Sequence, residues 1–165
     1  MINKQLLQPE SIAIIGASNN VSKPGGKIIK NLIDFGFEGE IYAVNPKETE
    51  VQGIPSFSSV EELPSVDLAV LAIPAKFCLQ AVATLAEQND TKAFIIISAG
   101  FGETDEQGRK LENEIAELVT KNEGCLIGPN CIGVMTPTHA SVFTTPVPKL
   151  TTDGCDFISG SGATA

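Results

Sequence analysis

Histidine occurs once in this chain of 165 residues, as His139 in a Thr- and Pro-rich stretch. Cysteine occurs four times, as Cys78, Cys125, Cys131 and Cys155, and never as a C-x-x-C pair. A zinc site draws its ligands from clusters of these residues, so no metal site is expected. The same scarcity argues against nucleophilic or general-base catalysis, because Cys131 has no His beside it and His139 reads as a solvated or packing residue. No catalytic residue is expected. The cysteines read as free thiols, which fits a reducing cytoplasm.

Positive charge is also scarce. Lys and Arg number 11 against 20 Asp and Glu, a formal net charge of −9. Nucleic acid and anionic membranes are repelled by such a chain, so neither is expected as a partner. A small anionic ligand is not excluded, since it answers to the local field. Long apolar runs are missing: no window approaches the roughly 18 residues of a membrane span. The opening MINKQLLQPES lacks the apolar stretch of a signal peptide. There is no internal repeat and no low-complexity tract.

What is present is a globular composition, 42% hydrophobic and 19% charged. Short apolar runs alternate with helical periods. Strands are expected over residues 11–16, 40–44, 66–73, 92–98 and 125–128. Helices are expected over 24–35, with Ile28, Ile29, Leu32 and Ile33 inward, and over 77–88, with Leu79, Val82, Ala83, Leu85 and Ala86 inward. A third helix is expected over 105–121, opened by Thr104, with Leu111, Ile115, Leu118 and Val119 inward and Glu112, Glu114 and Glu117 on a solvated face. The strands are apolar on both sides, as in a parallel sheet covered on both faces. The order predicts an α/β, doubly wound, mostly parallel sheet with helices on both faces. Residues 130–153 show no helical period and read as an extended tail over the surface. One more strand is expected over 156–159.

In such sheets ligands sit beyond the carboxyl ends of the strands. After the first strand comes GASNNVSKPGG (16–26): Gly16 permits a tight turn, Pro24 suits a first helical position, and Lys23 stands beside the helix start, where free N–H groups favour phosphate. An ordinary glycine-rich turn would look the same. The loop is not G-x-G-x-x-G, and the second strand ends in Asn45-Pro46-Lys47, where a nicotinamide-binding domain wants a carboxylate on the ribose. A lysine there suits a phosphorylated ribose, though a plain turn with a solvated Lys47 uses the same residues. Later strand ends read Ile73-Pro74, Ser98-Ala99-Gly100 and GPNCIG (128–133). Apolar walls, backbone donors and two lysines along one sheet edge fit a long nucleotide-derived ligand.

Taken together, IAIIGAS (12–18), Lys23-Pro-Gly, IYAVNPK (41–47), VDLAVLAIPA (66–75), ISAGFGE (97–103) and GPNCIGV (128–134) resemble the coenzyme-A-binding domain of ADP-forming (NDP-forming) acyl-CoA synthetases, relatives of the succinyl-CoA synthetase alpha subunit. That domain is Rossmann-like, in agreement with the pattern above. The resemblance implies that Gly16, Ala17 and Ser18 line the nucleotide-phosphate end of coenzyme A. It implies that Lys23 and Lys47 contact its phosphates, with Asn45 and Pro46 shaping that wall. Ile73 and Pro74 would pack along the ligand, Ser98, Ala99 and Gly100 would border the path to the thiol, and Asn130 would lie near the thiol end. It further implies a coenzyme-A domain over 1–150 that binds the ligand without catalysis, and in 151–165 the truncated start of a flavodoxin-like second domain whose Gly/Ser turn receives phosphate. Gly160 stands there where the family more often has Gln. The phosphohistidine, ATP or ADP and Mg would belong to domains absent here, and the partners would be coenzyme A or acyl-CoA and the remaining domains or subunits. Two other readings stay open: a stand-alone CoA-binding or regulatory protein, and an NAD(P)-binding redox protein.

Overall fold

The structure, a computed structural model, describes residues 1–148. A short helix α1 (Lys4–Leu7) leads into β1 (Ser11–Ile15), α2 (Pro24–Phe35) and β2 (Glu40–Val44). There follow β3 (Glu50–Val51), β4 (Ile54–Phe57), β5 (Leu68–Leu71), α3 (Cys78–Glu87), β6 (Ala93–Ile96), α4 (Glu106–Lys121) and β7 (Cys125–Ile127). A hairpin of β8 (Gly133–Met135) and β9 (Ala140–Val142) follows. The main sheet runs β3-β4-β2-β1-β5-β6-β7, parallel except for β3 at its edge. This is the Rossmann-like doubly wound architecture expected from the strand pattern.

Side chains alternate along each strand, and in the central β1, β5 and β6 both sets are buried. Ile12 and Ile14 of β1, with Leu68 and Val70 of β5 and Ile95 of β6, face α2 through Ile28, Ile29 and Leu32. Ala13 and Ile15, with Leu71, Phe94 and Ile96, face α3 and α4 through Val82, Leu85, Ile115 and Val119. Each such Val, Leu, Ile or Phe, fully removed from water, contributes on the order of 1.5–3 kcal/mol. Helix α2 starts at Pro24, whose missing N–H costs nothing at the first position, and stops at Gly36 in the left-handed conformation. Helix α4 is opened by Asp105, which accepts from the Gly108 amide at 2.7 Å, and not by Thr104. Ile33 points outward and is 45% exposed, so the inward stripe of α2 is Ile28, Ile29 and Leu32, joined by Asn31.

The stretch expected to wander over the surface is instead tied down. Ala140, Ser141 and Val142 are buried in the β8–β9 hairpin, which packs on α2. Asn31 of α2 donates to the carbonyls of Val142 at 2.6 Å and Thr144 at 3.0 Å. His139 is fully buried. Its Nε2 lies 2.8 Å from the Leu6 carbonyl and so carries the proton, while Nδ1, 2.9 Å from Ser141 Oγ, accepts. The expected strand over 156–159 and the expected second domain lie outside the described residues.

Burial holds the His139 pKa below its ordinary value near 6.5, outweighing the Leu6 hydrogen bond. The unfolded chain therefore binds the proton more readily, and stability present above about pH 6.5 is lost as the pH falls towards the folded pKa. Thermal unfolding of His139→Gln, compared with the parent chain between pH 7.5 and 5, should lack this component. Equal pH slopes for the two proteins would contradict the assignment.

Candidate functional site

The strand order reverses at β1 and β5: the chain winds from β1 towards β2 on one side and returns to β5 on the other. A crevice opens at such a point beyond the carboxyl ends of the strands. Here those ends carry Gly16 and Ile73. Gly16 has φ +89, and its amide donates to the Val44 carbonyl at 3.0 Å, as does that of Ala17 at 3.2 Å. A Cβ on Gly16 would lie 2.6 Å from the Ala72 carbonyl oxygen and 2.9 Å from Ile73 Cγ2. The first turn of α2 comes equally close: a Cβ on Gly25 would strike the Gly16 carbonyl, and one on Gly26 the Asn20 carbonyl.

Lys23 is the N-cap residue of α2, and no side chain caps that helix start. The second and third amides of a helix have no intrahelical partner, so those of Gly25 and Gly26 stand at the positive end of the helix dipole. Asn45, at the end of β2, donates to the Ala17 carbonyl at 2.7 Å and accepts from the Lys47 amide at 2.9 Å. It braces the glycine turn against the Asn-Pro-Lys corner. Lys23, Pro46 and Lys47 are exposed. Among the described residues, Lys23 and Lys47 form no ion pair.

Across the crevice, Ser98 Oγ donates to the Ile73 carbonyl, and the Asn130 amide donates to the Ser98 carbonyl at 3.0 Å. Ala75 lies beside Gly100, 3.4 Å from where a Cβ would stand. An unbroken run of contacts thus leads from Lys47 through Asn45, Ala17, Gly16, Ile73 and Ser98 to Asn130. Pro74 and Ala99 continue the exposed lip, and Ser18 sits half-buried behind Gly16. Two clefts open on the same rim: one of about 460 Å³ between Ala75, Lys76, Gly100 and Lys110, another of about 540 Å³ between Gly102, Glu103, Arg109 and Asn130. A wider cleft, about 1000 Å³, lies at the opposite end of the sheet, lined by Glu10, Phe35, Phe37, Glu38, Glu40 and Tyr42.

Several residues of the rim carry no clear signal in the sequence. Gln52, at the β3–β4 turn, donates to the Ser18 carbonyl at 3.0 Å and the Gly26 carbonyl at 2.9 Å. Asn19 accepts from the Gln52 amide at 2.8 Å. The only hint was Gln52-Gly53 between Val51 and Ile54, a turn signal with no trace of its tertiary target. Glu112, expected on a solvated face, is half-buried and accepts from the Gly102 amide at 3.1 Å. Cys131 donates to the Ile96 carbonyl at 3.3 Å, and burial pushes its thiol up, which disfavours a nucleophilic thiolate. Burial pushes the Cys78 thiol up to about 12. Among the described residues, no group of three or more His, Cys, Asp or Glu is placed to hold a metal ion, and no helix is long and apolar enough to cross a membrane.

A family model described as CoA binding domain matches residues 10–137. The alpha subunit of acetate–CoA ligase (ADP-forming) II from Pyrococcus furiosus is 43% identical over 156 residues, 94% of this chain and 34% of its own length. A crystal structure of a Pyrococcus horikoshii OT3 protein superposes with a TM-score of 0.80 at 38% identity, covering 87% of this chain and 33% of that one. The dinucleotide-forming acetyl-coenzyme A synthetase 1 of Ca. Korarchaeum cryptofilum, in complex with phosphate and ADP, gives 0.80 at 30% identity over 92% of this chain and 32% of its own. The chain thus spans about a third of the length of these relatives.

The rim depends on backbone approach and on the Asn45 brace. Gly26→Ala should lower the unfolding free energy by about 1–3 kcal/mol in urea titration, because its new methyl meets a backbone carbonyl that cannot swing away. Asn45→Asp replaces a donor to Ala17 with an acceptor and should cost a similar amount. Unchanged unfolding midpoints would refute both roles.

Proposed function

The chain belongs to the CoA-binding domain family, and from that premise we propose that coenzyme A lies along the carboxyl rim just described. The observation that carries this reading is the run of contacts from Lys47 to Asn130, with amides of α2 at one end and no carboxylate at the end of β2. Coenzyme A carries a diphosphate and a ribose 3′-phosphate. The diphosphate takes the amides of Gly25 and Gly26 and the turn of Gly16, Ala17 and Ser18, where the helix dipole favours negative charge. Lys23 and Lys47 supply the full charges for the phosphates, and Asn45 and Pro46 form the wall between them. An Asp at position 45 would repel the 3′-phosphate; the amide present there spends its donor on Ala17 instead.

From the switch point the pantetheine arm runs outward past Ile73 and Pro74, whose apolar surface suits its methylene and dimethyl groups. It then passes Ser98, Ala99 and Gly100 and brings the thiol towards Asn130. The chain itself binds and orients coenzyme A without chemistry of its own. Its likeness to an ADP-forming acetate–CoA ligase subunit supports a wider role: the coenzyme-A-holding part of an acid–CoA ligase that interconverts acyl-CoA, ADP and phosphate with acid, coenzyme A and ATP. In that assembly ATP, ADP and Mg are held by other domains or subunits, and residues 151–165 begin the next domain.

Titration calorimetry of the full chain tests the placement. Coenzyme A should bind, and Lys23→Glu and Lys47→Glu should each weaken it by about tenfold or more, the value of a charge-assisted hydrogen bond. Removing the ligand's 3′-phosphate should weaken the parent chain and blunt the effect of one lysine variant but not the other. Heat with NADH and none with coenzyme A would overturn the reading.

A further inference from the structure

Three successive peptide N–H groups on this rim end on carboxylates of the chain itself. The amides of Gly100 and Phe101 donate to the two oxygens of Glu103, at 2.6 Å to Oε1 and 3.1 Å to Oε2, and the amide of Gly102 donates to Glu112 Oε2 at 3.1 Å. Two adjacent amides, each holding a different oxygen of one carboxylate, form a cradle matched to that group. These hydrogen bonds, that of Gly100 foremost, hold the Glu103 carboxyl below the ordinary carboxylate range.

The two halves of this arrangement differ in how firmly they are fixed. The donors sit in a loop anchored without Glu103. The Phe101 side chain is fully buried, its carbonyl accepts from the Thr104 amide at 2.9 Å and hydroxyl at 2.8 Å, and Gly108 of α4 packs directly on that carbonyl. The acceptor is the tip of an exposed side chain, tied to the loop by those two hydrogen bonds. Rigid donors with a removable anion describe a binding site closed by its own stand-in ligand. The place matters too: Gly100 borders Ala75, and Ser98 is bonded to the Ile73 carbonyl. Glu103 and Asn130 line one cleft, so the cradle stands beside the point to which the proposed route of coenzyme A brings its thiol.

We propose that the amides of Gly100 and Phe101 form a subsite for the carboxylate of the acid substrate, closed in the free chain by Glu103. The inference rests on the coenzyme-A placement above for the identity of its ligand. A carboxylate bound there replaces one anion by another of the same shape, so the amides end with the same kind of partner. The tethered Glu103 competes at the high effective concentration of a short linker, so the free acid enters only when Glu103 swings out.

Amide resonances in 15N–1H spectra of the full chain test this directly, with sodium acetate and inorganic phosphate as separate probes. In Glu103→Ala, acetate should shift the Gly100 and Phe101 amides saturably, with at least about tenfold less acetate than the parent chain requires. Glu103→Gln, which keeps a neutral tether, should fall between them and covers the case that the alanine variant does not fold. If Glu103 only braces the loop, the folded variants will show no response of these two amides to acetate, and the proposal fails. A response to phosphate alone would overturn the assignment to a carboxylate. Coenzyme A titrated in the same samples reports separately through the amides of Gly16 and Gly25: silence there with an intact acetate response would defeat the coenzyme-A placement and leave the cradle standing.

Discussion

Backbone lies against backbone where β1 hands over to α2. The Gly16 carbonyl occupies the space where a side chain on Gly25 would begin, and the Asn20 carbonyl does the same at Gly26. No residue with a Cβ reaches this distance, so the helix starts closer to the sheet than ordinary packing allows. That closeness brings the unpaired amides of α2 to the rim, at the point where strand order reverses. It also explains why Gln52 can satisfy the Ser18 and Gly26 carbonyls with one side-chain amide. Widen the gap by a methyl group and the donors, the brace and the crevice all shift together.

The remaining rim is cross-linked by the same kind of contact. A carbonyl left over as one strand ends is taken up by a donor from the neighbouring connection: Ala17 by Asn45, Ile73 by Ser98, Ser98 by the Asn130 amide. Each bond is worth only about 1 kcal/mol. Together they fix the loops relative to one another, so the crevice is shaped before any ligand arrives, which lowers the ordering cost of binding. A net charge of −9 is compatible with an anionic ligand, which answers to the local field. The rim carries two exposed lysines and an uncapped helix amino terminus, and carboxylates farther away than a Debye length are screened.

The sequence revealed what is written locally. Helix 24–35 and strand 40–44 came out with the observed bounds, because Pro24 and Gly36 are chemical punctuation and the apolar run of β2 is short. The expected strands 66–73 and 92–98 exceed the observed ones, since apolar residues continue past the last ladder bond into the rim. β3 and β4, of two and four residues with Pro55 inside, carry too little alternation to stand out. The β8–β9 hairpin has the composition of a loop, so the sequence predicts a surface tail there. What buries it is long-range: Asn31 reaching Val142, and His139 reaching Leu6. At the rim, the strand-end residues were legible because topology alone places them there. Gln52 and Asn19 were not, since their function is a contact with a segment more than 25 residues away.

Cavity size favours the other end of the sheet, and its chemistry opposes an anionic ligand there. The wide cleft at the amino end of the sheet has room for a large ligand, but its polar lining is dominated by Glu10, Glu38 and Glu40. Tyr42 adds a hydroxyl already bonded to Glu40, which raises its pKa further. An anion entering there would meet carboxylates in place of helix amides, because the amino ends of the parallel strands face the carboxyl ends of the helices that cross the sheet. The carboxyl rim is shallower and more open, yet it gathers the amides of α2, Lys23 and Lys47. For a ligand bearing several phosphates, donors and positive charge at the right places outweigh enclosure, and an extended molecule is served by a long open rim better than by a deep cavity.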